Sequence, residues 1–270
     1  MKTLLLLCSM ALLFTACNNR SLAPEYDCML PQPTKITVGS YWVYLRTNLD
    51  SIGNAITGAI TYDTLTVLDK SITASSETIL KVHEHYSYDF GKTWKNDTSV
   101  WVFTGTQFKV TNLWFQESCN CFKGLLKFRL YEDCSVDAQT IANETVPGDD
   151  LPSLVVDSAG KRIAITAKTM YDINNTYKTI SNENVSVAGK AILTKKSASN
   201  IGLVFQLVSP DKVTFAVNGK RSITQRDERI VWTNKDIGII KERSIISDDI
   251  EEVKGLPKSF ERVLVSYQFK

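Results

Sequence analysis

Histidine is scarce, with two in 270 residues, and it is the side chain that most readily moves protons near neutral pH. A Ser-His-Asp triad would have to recruit His83 or His85, which lie in one short segment. The sequence also lacks Gly-x-Ser-x-Gly, a glycine-rich phosphate loop and His-Glu-x-x-His, so no common catalytic signature is present. Charge of one sign is lacking too: 31 Lys plus Arg stand against 29 Asp plus Glu, a formal charge of +2. Such a balance offers no basic stripe for nucleic acid. Hardly any stretch repeats apolar residues at the 3.6-residue period over a helix length, so helices are expected to be few and short. What is abundant is core material. The hydrophobic fraction of 43% suits a packed interior, and the length permits one large β domain or two smaller ones.

The N-terminus carries the most specific pattern. Lys2 precedes an apolar run from Leu4 to Phe14, about half of the roughly 20 residues a spanning helix needs. A positive charge, a short apolar segment and the small residues Thr15 and Ala16 describe a cleaved export signal over residues 1–16. The next residue is Cys17. The stretch Leu13-Phe14-Thr15-Ala16-Cys17 resembles the lipobox of bacterial lipoproteins, with Phe14 where leucine is usual. That resemblance implies that Cys17 becomes the lipidated N-terminus, whose two or more acyl chains hold the protein at a membrane. Residues 17–35, with Pro24, Pro31 and Pro33 and no period, read as a flexible tether. Asn18, Asn19 and Arg20 follow the cysteine without an acidic cluster, which favours an outer-membrane anchor with the body in the periplasm over surface display.

Residues 36–270 read as a β-rich domain. Val38 to Leu45 crowds aromatic and β-branched residues behind Gly39, Thr61 to Asp69 alternates, and Leu80, Val82, Tyr86, Tyr88 and Phe90 share one strand face. Val100–Phe103 and Phe108–Phe115 form a hairpin around Thr104-Gly105-Thr106, and Phe122–Tyr131 alternates again. Residues 134–152, with Pro147-Gly148-Asp149-Asp150, read as a loop, with one helical turn near Asp137–Ala142 and a possible sub-boundary. Leu154–Val156 and Ile163–Thr169 form a hairpin, the Asn-rich stretch Tyr171–Asn184 reads as loop, and Asn218-Gly219 marks a second hairpin. Arg229–Trp232, Ile237–Lys241 and Arg262–Phe269 close the chain as strands around an acidic loop, Asp248–Glu252.

The opening Val38-Gly39-Ser40-Tyr41-Trp42-Val43-Tyr44, the late Trp232 with Asp236 to Lys241, and the terminal Leu264-Val265-Ser266-Tyr267 resemble small bacterial envelope lipoproteins. The resemblance implies a mainly β fold: a curved antiparallel sheet, half-barrel or sandwich-like, that closes its first strands against its last. It carries no catalytic residue across. By fold analogy alone, the concave face would take an acyl chain.

Four cysteines remain in the body and tether: Cys28, Cys119, Cys121 and Cys134. In an oxidising compartment they are disulfide candidates; either Cys119 or Cys121 can reach Cys134, leaving the other for Cys28. His83 and His85, at i and i+2 on a strand, face the same way and form half of a metal site, with Asp89 on the same face as a candidate third ligand. The simpler reading places both on the wet side. The aromatics Tyr41, Trp42, Tyr44, Trp101, Phe103, Trp114 and Phe115 either line a ligand groove or fill the core. Asp50-Ser51-Ile52, Asp63-Thr64-Leu65 and Asp157-Ser158-Ala159 resemble the acceptor triplet of a bacterial envelope O-glycosylation system. The resulting expectation is a noncatalytic envelope lipoprotein without a cofactor. Its partners would be membrane lipid at the anchor and a hydrophobic ligand or envelope protein at the body. The alternative is a metal-dependent hydrolase using His83 and His85.

Overall fold

The computed structural model describes residues 30–87, 89–112, 128–133, 138–158, 161–208, 214–215, 223–248 and 259–270. They form β1 (Tyr41–Asn48), β2 (Thr61–Ile72), β3 (Thr78–Tyr86), β4 (Lys95–Phe103), β5 (Gln107–Asn112), β6 (Phe128–Asp133), β7 (Ala138–Ser158), β8 (Lys161–Val187), β9 (Lys190–Val208), β10 (Thr214–Phe215), β11 (Ile223–Asn234), β12 (Gly238–Asp248) and β13 (Phe260–Gln268). The helical content among them is a single 3-10 turn, Pro33–Lys35.

All thirteen strands belong to one antiparallel sheet in the order β6-β5-β4-β3-β2-β1-β13-β12-β11-β9-β8-β7, with β10 paired to β9. The first strand lies against the last: Tyr41 pairs with Gln268 and Asn48 with Phe260. The sheet curls into a half-barrel, far enough for its β6 edge to meet the other flank. There the Asp133 carbonyl accepts from Tyr177 Oη at 3.2 Å and from Lys195 Nζ at 3.4 Å.

Period-two alternation buries one face of β1, β2, β3 and β13. Inward on β1 are Trp42, Tyr44, Arg46 and Asn48; on β2, Thr61, Asp63, Leu65 and Val67; on β3, Leu80, Val82 and Glu84. The chain before β1 enters at one end of these strands, here termed proximal. Gln32 N–H donates to the Lys235 carbonyl at 2.8 Å, and Lys70 Nζ donates to the Pro33 and Ile36 carbonyls at 2.8 and 2.7 Å. Leu30, which lies in the stretch expected as tether, and Ile36 are buried in the core.

Two stretches expected as loops are strand. Residues 138–158 form β7, with no helical turn near Ala138–Ala142. Its register shifts between Pro147 and Asp150 and between Leu151 and Leu154, so bulges on an edge strand absorb the prolines and the Gly-Asp-Asp run. The Asn-rich stretch lies inside β8, where Asn174 pairs with Asn143 on one side and Gly202 on the other. Ladder pairing on both edges overrides its polar composition. The possible boundary near 134–152 falls where the chain passes from one edge strand, β6, to the other, β7.

The proximal half of the interior is apolar and aromatic. Trp42 and Trp101 have ring centroids 5.2 Å apart, Trp101 and Phe108 5.5 Å, and Phe103 stacks on Phe108 at 4.7 Å. The polar ends of these rings are satisfied: Trp42 Nε1 donates to the Ile237 carbonyl at 2.7 Å and Tyr44 Oη to the Ile239 carbonyl at 2.8 Å. Trp101→Ala removes a fully buried indole from this stack and is expected to cost about 3–5 kcal/mol in urea unfolding, against under about 1 kcal/mol for Tyr62→Ala on the exposed face.

Candidate functional site

The distal half of the interior is charged. Continuing each inward row by two residues replaces an apolar side chain with an ionised one: Tyr44 gives way to Arg46, Leu65 to Asp63, Val82 to Glu84, Leu264 to Arg262, Ile240 to Glu242 and Val231 to Arg229. Arg46 and Arg262 sit directly opposite each other on neighbouring strands, a placement that repels unless a carboxylate intervenes. Asp63 does so. Its Oδ2 lies 3.0 Å from Arg46 Nη1 and 3.8 Å from Arg262 Nη1. Arg262 continues the row to Glu84 at 3.7 Å and Glu242 at 2.5 Å, and Glu242 binds Arg229 at 2.6 Å, which reaches Asp227 at 2.5 Å. Aromatic faces close the row: the Arg46 guanidinium lies 4.3 Å from the Phe260 ring and that of Arg262 5.0 Å from Tyr44.

These charges are out of water, with side-chain exposures of 4% or less for Arg46, Asp63, Glu84, Arg229, Glu242 and Arg262. Burial pushes the Asp63 carboxyl above the usual range, against the pull of Arg46 and Arg262. Burial likewise opposes the Arg262 charge, but Glu242, Glu84 and Asp63 together hold it firmly protonated. The row binds six strands, β3, β2, β1, β13, β12 and β11, to one another through side chains. Along it guanidinium is set against carboxylate, while Asp63 Oδ1, Arg229 Nε and Arg262 Nε are buried without a hydrogen-bond partner.

Above this row two distal loops are organised by aspartates. In the loop after β1, Asp50 Oδ1 accepts from the Ile52 and Asn54 amides at 3.0 and 2.8 Å, which holds its carboxyl below the usual range. In the turn between β3 and β4, Asp89 Oδ1 accepts from Ser87 Oγ at 2.9 Å and the Thr93 amide at 2.8 Å, and Thr93 Oγ1 donates to Oδ2. These bonds, those from Thr93 first, lower its carboxyl to about 2. Phe90 and Gly91 follow with φ of 61° and 85°, a tight reversal that the Ser87 and Asp89 hydrogen bonds hold in place. The two loops interlock, since any side chain at Gly58 would collide with the Phe90 ring.

His83 and His85 both point outward, away from Glu84, which belongs to the buried row. His85 Nδ1 bonds Asn96 Oδ1 at 2.8 Å and its ring stacks on Trp94 at 4.7 Å and 3°. Asp89 is held by its own turn. Among the described residues no three His, Cys, Asp or Glu side chains gather as a metal site, so the hydrolase alternative gains no ligand set. Of the named aromatics, Trp42, Tyr44, Trp101 and Phe103 fill the core and Tyr41 faces outward; Trp114 and Phe115 lie outside the described residues. Cys17, Cys28, Cys119, Cys121 and Cys134 also lie outside them.

Sequence reasoning missed the charged row. The signal was present as parity: each member stands two residues from a core apolar residue on a strand.

Arg262→Ala removes the cation shared by Glu242, Glu84 and Asp63, leaving Glu242 to Arg229 and Asp63 to Arg46, and is expected to cost about 3–5 kcal/mol in urea unfolding at pH 7. Asp89 has the opposite environment and a clear pH sign. Its folded pKa is depressed, so its contribution is present above the unfolded value of 3.8 and disappears as pH falls through about 2. Amide exchange at Thr93 is expected to accelerate over that window relative to Ile56, whose amide is held by the Asn48 carbonyl at 2.9 Å, and Asp89→Asn is expected to remove the difference.

No protein-family model and no curated protein matches the sequence. Among solved structures the chain is similar to a candidate lipoprotein of Parabacteroides distasonis, at 15% identity and a TM-score of 0.40, covering 90% of this chain and 100% of that one. It is also similar to a candidate exported protein of Bacteroides fragilis described as having a YmcC-like fold, at 10% identity and a TM-score of 0.38, covering 89% of this chain and 98% of that one.

Proposed function

We propose that this protein is a noncatalytic, lipid-anchored component of the bacterial cell envelope whose β body meets another envelope protein. Cys17 carries the acyl chains, the residues after it space the body from the outer membrane, and the body stands in the periplasm. The single observation that carries the reading is the ordered run of Lys2, the apolar segment Leu4–Phe14, Thr15-Ala16 and Cys17. A partner protein is favoured over a bound hydrophobic ligand because Trp42, Tyr44, Trp101 and Phe108 are fully buried against one another, so protein rings already occupy the apolar interior. The absence of a Ser-His-Asp or His-Glu-x-x-His signature and the use of the interior charges as ion pairs support the noncatalytic part.

The anchor is tested by metabolic palmitate labelling and membrane fractionation of full-length protein. The wild type is expected to be labelled and to sediment with membranes, and Cys17→Ser to be unlabelled and soluble. Equal labelling of the two would overturn the anchor.

A further inference from the structure

We infer that the charged row contains a binding site for one buried water molecule, held between Arg262 Nη1 and the carboxylates of Asp63 and Glu84. That water joins the chain's last strand, β13, to β2 and β3 across β1. The inference is independent of the anchor.

Arg262 makes two kinds of contact. Toward β12 its Nη2 lies 2.5 Å from Glu242, a direct ion pair. Toward β2 and β3 its Nη1 lies 3.8 Å from Asp63 Oδ2 and 3.7 Å from Glu84 Oε2. Both distances exceed the roughly 2.7–2.9 Å of a charge-assisted hydrogen bond. The three side chains are 4% exposed or less, so bulk solvent does not reach between them. Buried opposite charges at that separation are spaced for a single bridging water.

The hydrogen-bond inventory points the same way. Asp63 Oδ2 accepts from Arg46 Nη1 at 3.0 Å, but Asp63 Oδ1 is buried and finds no protein donor. On the other side of the gap Arg262 Nε is buried and finds no protein acceptor. Arg46 offers no relief through its own Nε, which donates to Asn48 Oδ1 at 3.0 Å. Leaving a buried carboxylate oxygen bare costs more than the bond it lacks. A water accepts from Arg262 Nη1 and gives its two hydrogens to Asp63 Oδ1 and Glu84 Oε2, about the three bonds that a buried water usually makes.

Charge selects water over an ion. Arg46, Arg262 and Arg229 stand against Asp63, Glu84 and Glu242, with Asp227 beyond Arg229 at the far end, so the site is lined by both signs. An added cation would meet Arg262 and an added anion would meet Asp63 and Glu84. A proton shared by the two carboxylates supplies a donor to Asp63 Oδ1 but leaves Arg262 Nη1 apart from both. The Tyr44 and Phe260 rings, 5.0 and 5.7 Å from the Arg262 guanidinium, wall the site and slow exchange of its water.

The test is a crystal structure of the full-length, detergent-solubilised protein at a resolution that shows ordered solvent, paired with oxygen-17 relaxation dispersion in solution. The expected result is one solvent peak about 2.8 Å from Arg262 Nη1, Asp63 Oδ1 and Glu84 Oε2. Asp63→Glu keeps the charge and adds one methylene, which lets the carboxylate reach Arg262 directly. In that variant the peak is expected to vanish and the dispersion amplitude to fall by one long-lived water. A peak at the roughly 2.0–2.6 Å of a metal cation overturns the water site. So does a wild-type structure without the peak, whether Asp63 touches Arg262 directly or shares a proton with Glu84, and so does an unchanged dispersion amplitude in folded Asp63→Glu. The wild-type peak decides the matter even where the variant fails to fold.

Discussion

The buried row running from Arg46 through Asp63, Arg262 and Glu242 to Arg229 is the constraint on which the rest of the sheet depends. Taking an ion out of water costs several kcal/mol, and only close opposite charges repay it. Each member here is repaid by a residue on a different strand, so the distal half is electrostatically sound only when β3, β2, β1, β13, β12 and β11 are all in register. A one-residue slip of any of these strands would turn its ion outward and leave its partner buried alone. The apolar proximal half tolerates more, since rings and branched chains pack against many neighbours. The interior thus divides its labour: hydrophobic burial at the proximal end supplies driving force, and charge pairing at the distal end supplies specificity.

That division also bears on function. Carboxylates and guanidiniums gathered in an interior invite a reading as catalytic groups, but here they pair with one another. The proximal aromatics are similarly engaged, with the Trp42 and Tyr44 polar atoms satisfied by the carbonyls of Ile237 and Ile239. Both halves of the interior are thus committed to holding the sheet. On the outside, the two aspartate-organised loops leave Ile52, Ile56, Ile60 and Trp94 exposed at the distal end. His85, half of the candidate metal pair, supports Trp94 by stacking instead.

Much of this architecture was legible in the residues. Alternation located β1, β2, β3 and the β4–β5 hairpin, and the resemblance to envelope lipoproteins anticipated the pairing of first strand with last. The stretches that misled were those whose composition argues locally against a strand. Pro147 to Pro152 lies on an edge where bulges absorb it, and Tyr171 to Asn184 is held by ladders on both sides that no local signal announces. The charged row was hidden for a different reason. An arginine or glutamate on a strand is ordinarily assigned to the wet face, and only the parity of Arg46 with Trp42 and Tyr44, or of Glu84 with Leu80 and Val82, places it inside. The exposed isoleucines of the loop after β1 were hidden because a loop has no periodicity to betray them.

The central claim is that Arg262 and Glu242 stabilise the closed sheet as a pair and not as two independent residues. A double-mutant cycle with Arg262→Met and Glu242→Gln, read by urea unfolding at pH 7, measures that coupling directly. The account predicts a coupling of about 2–3 kcal/mol, with the double variant more stable than the sum of the single losses allows. A coupling near zero would contradict it.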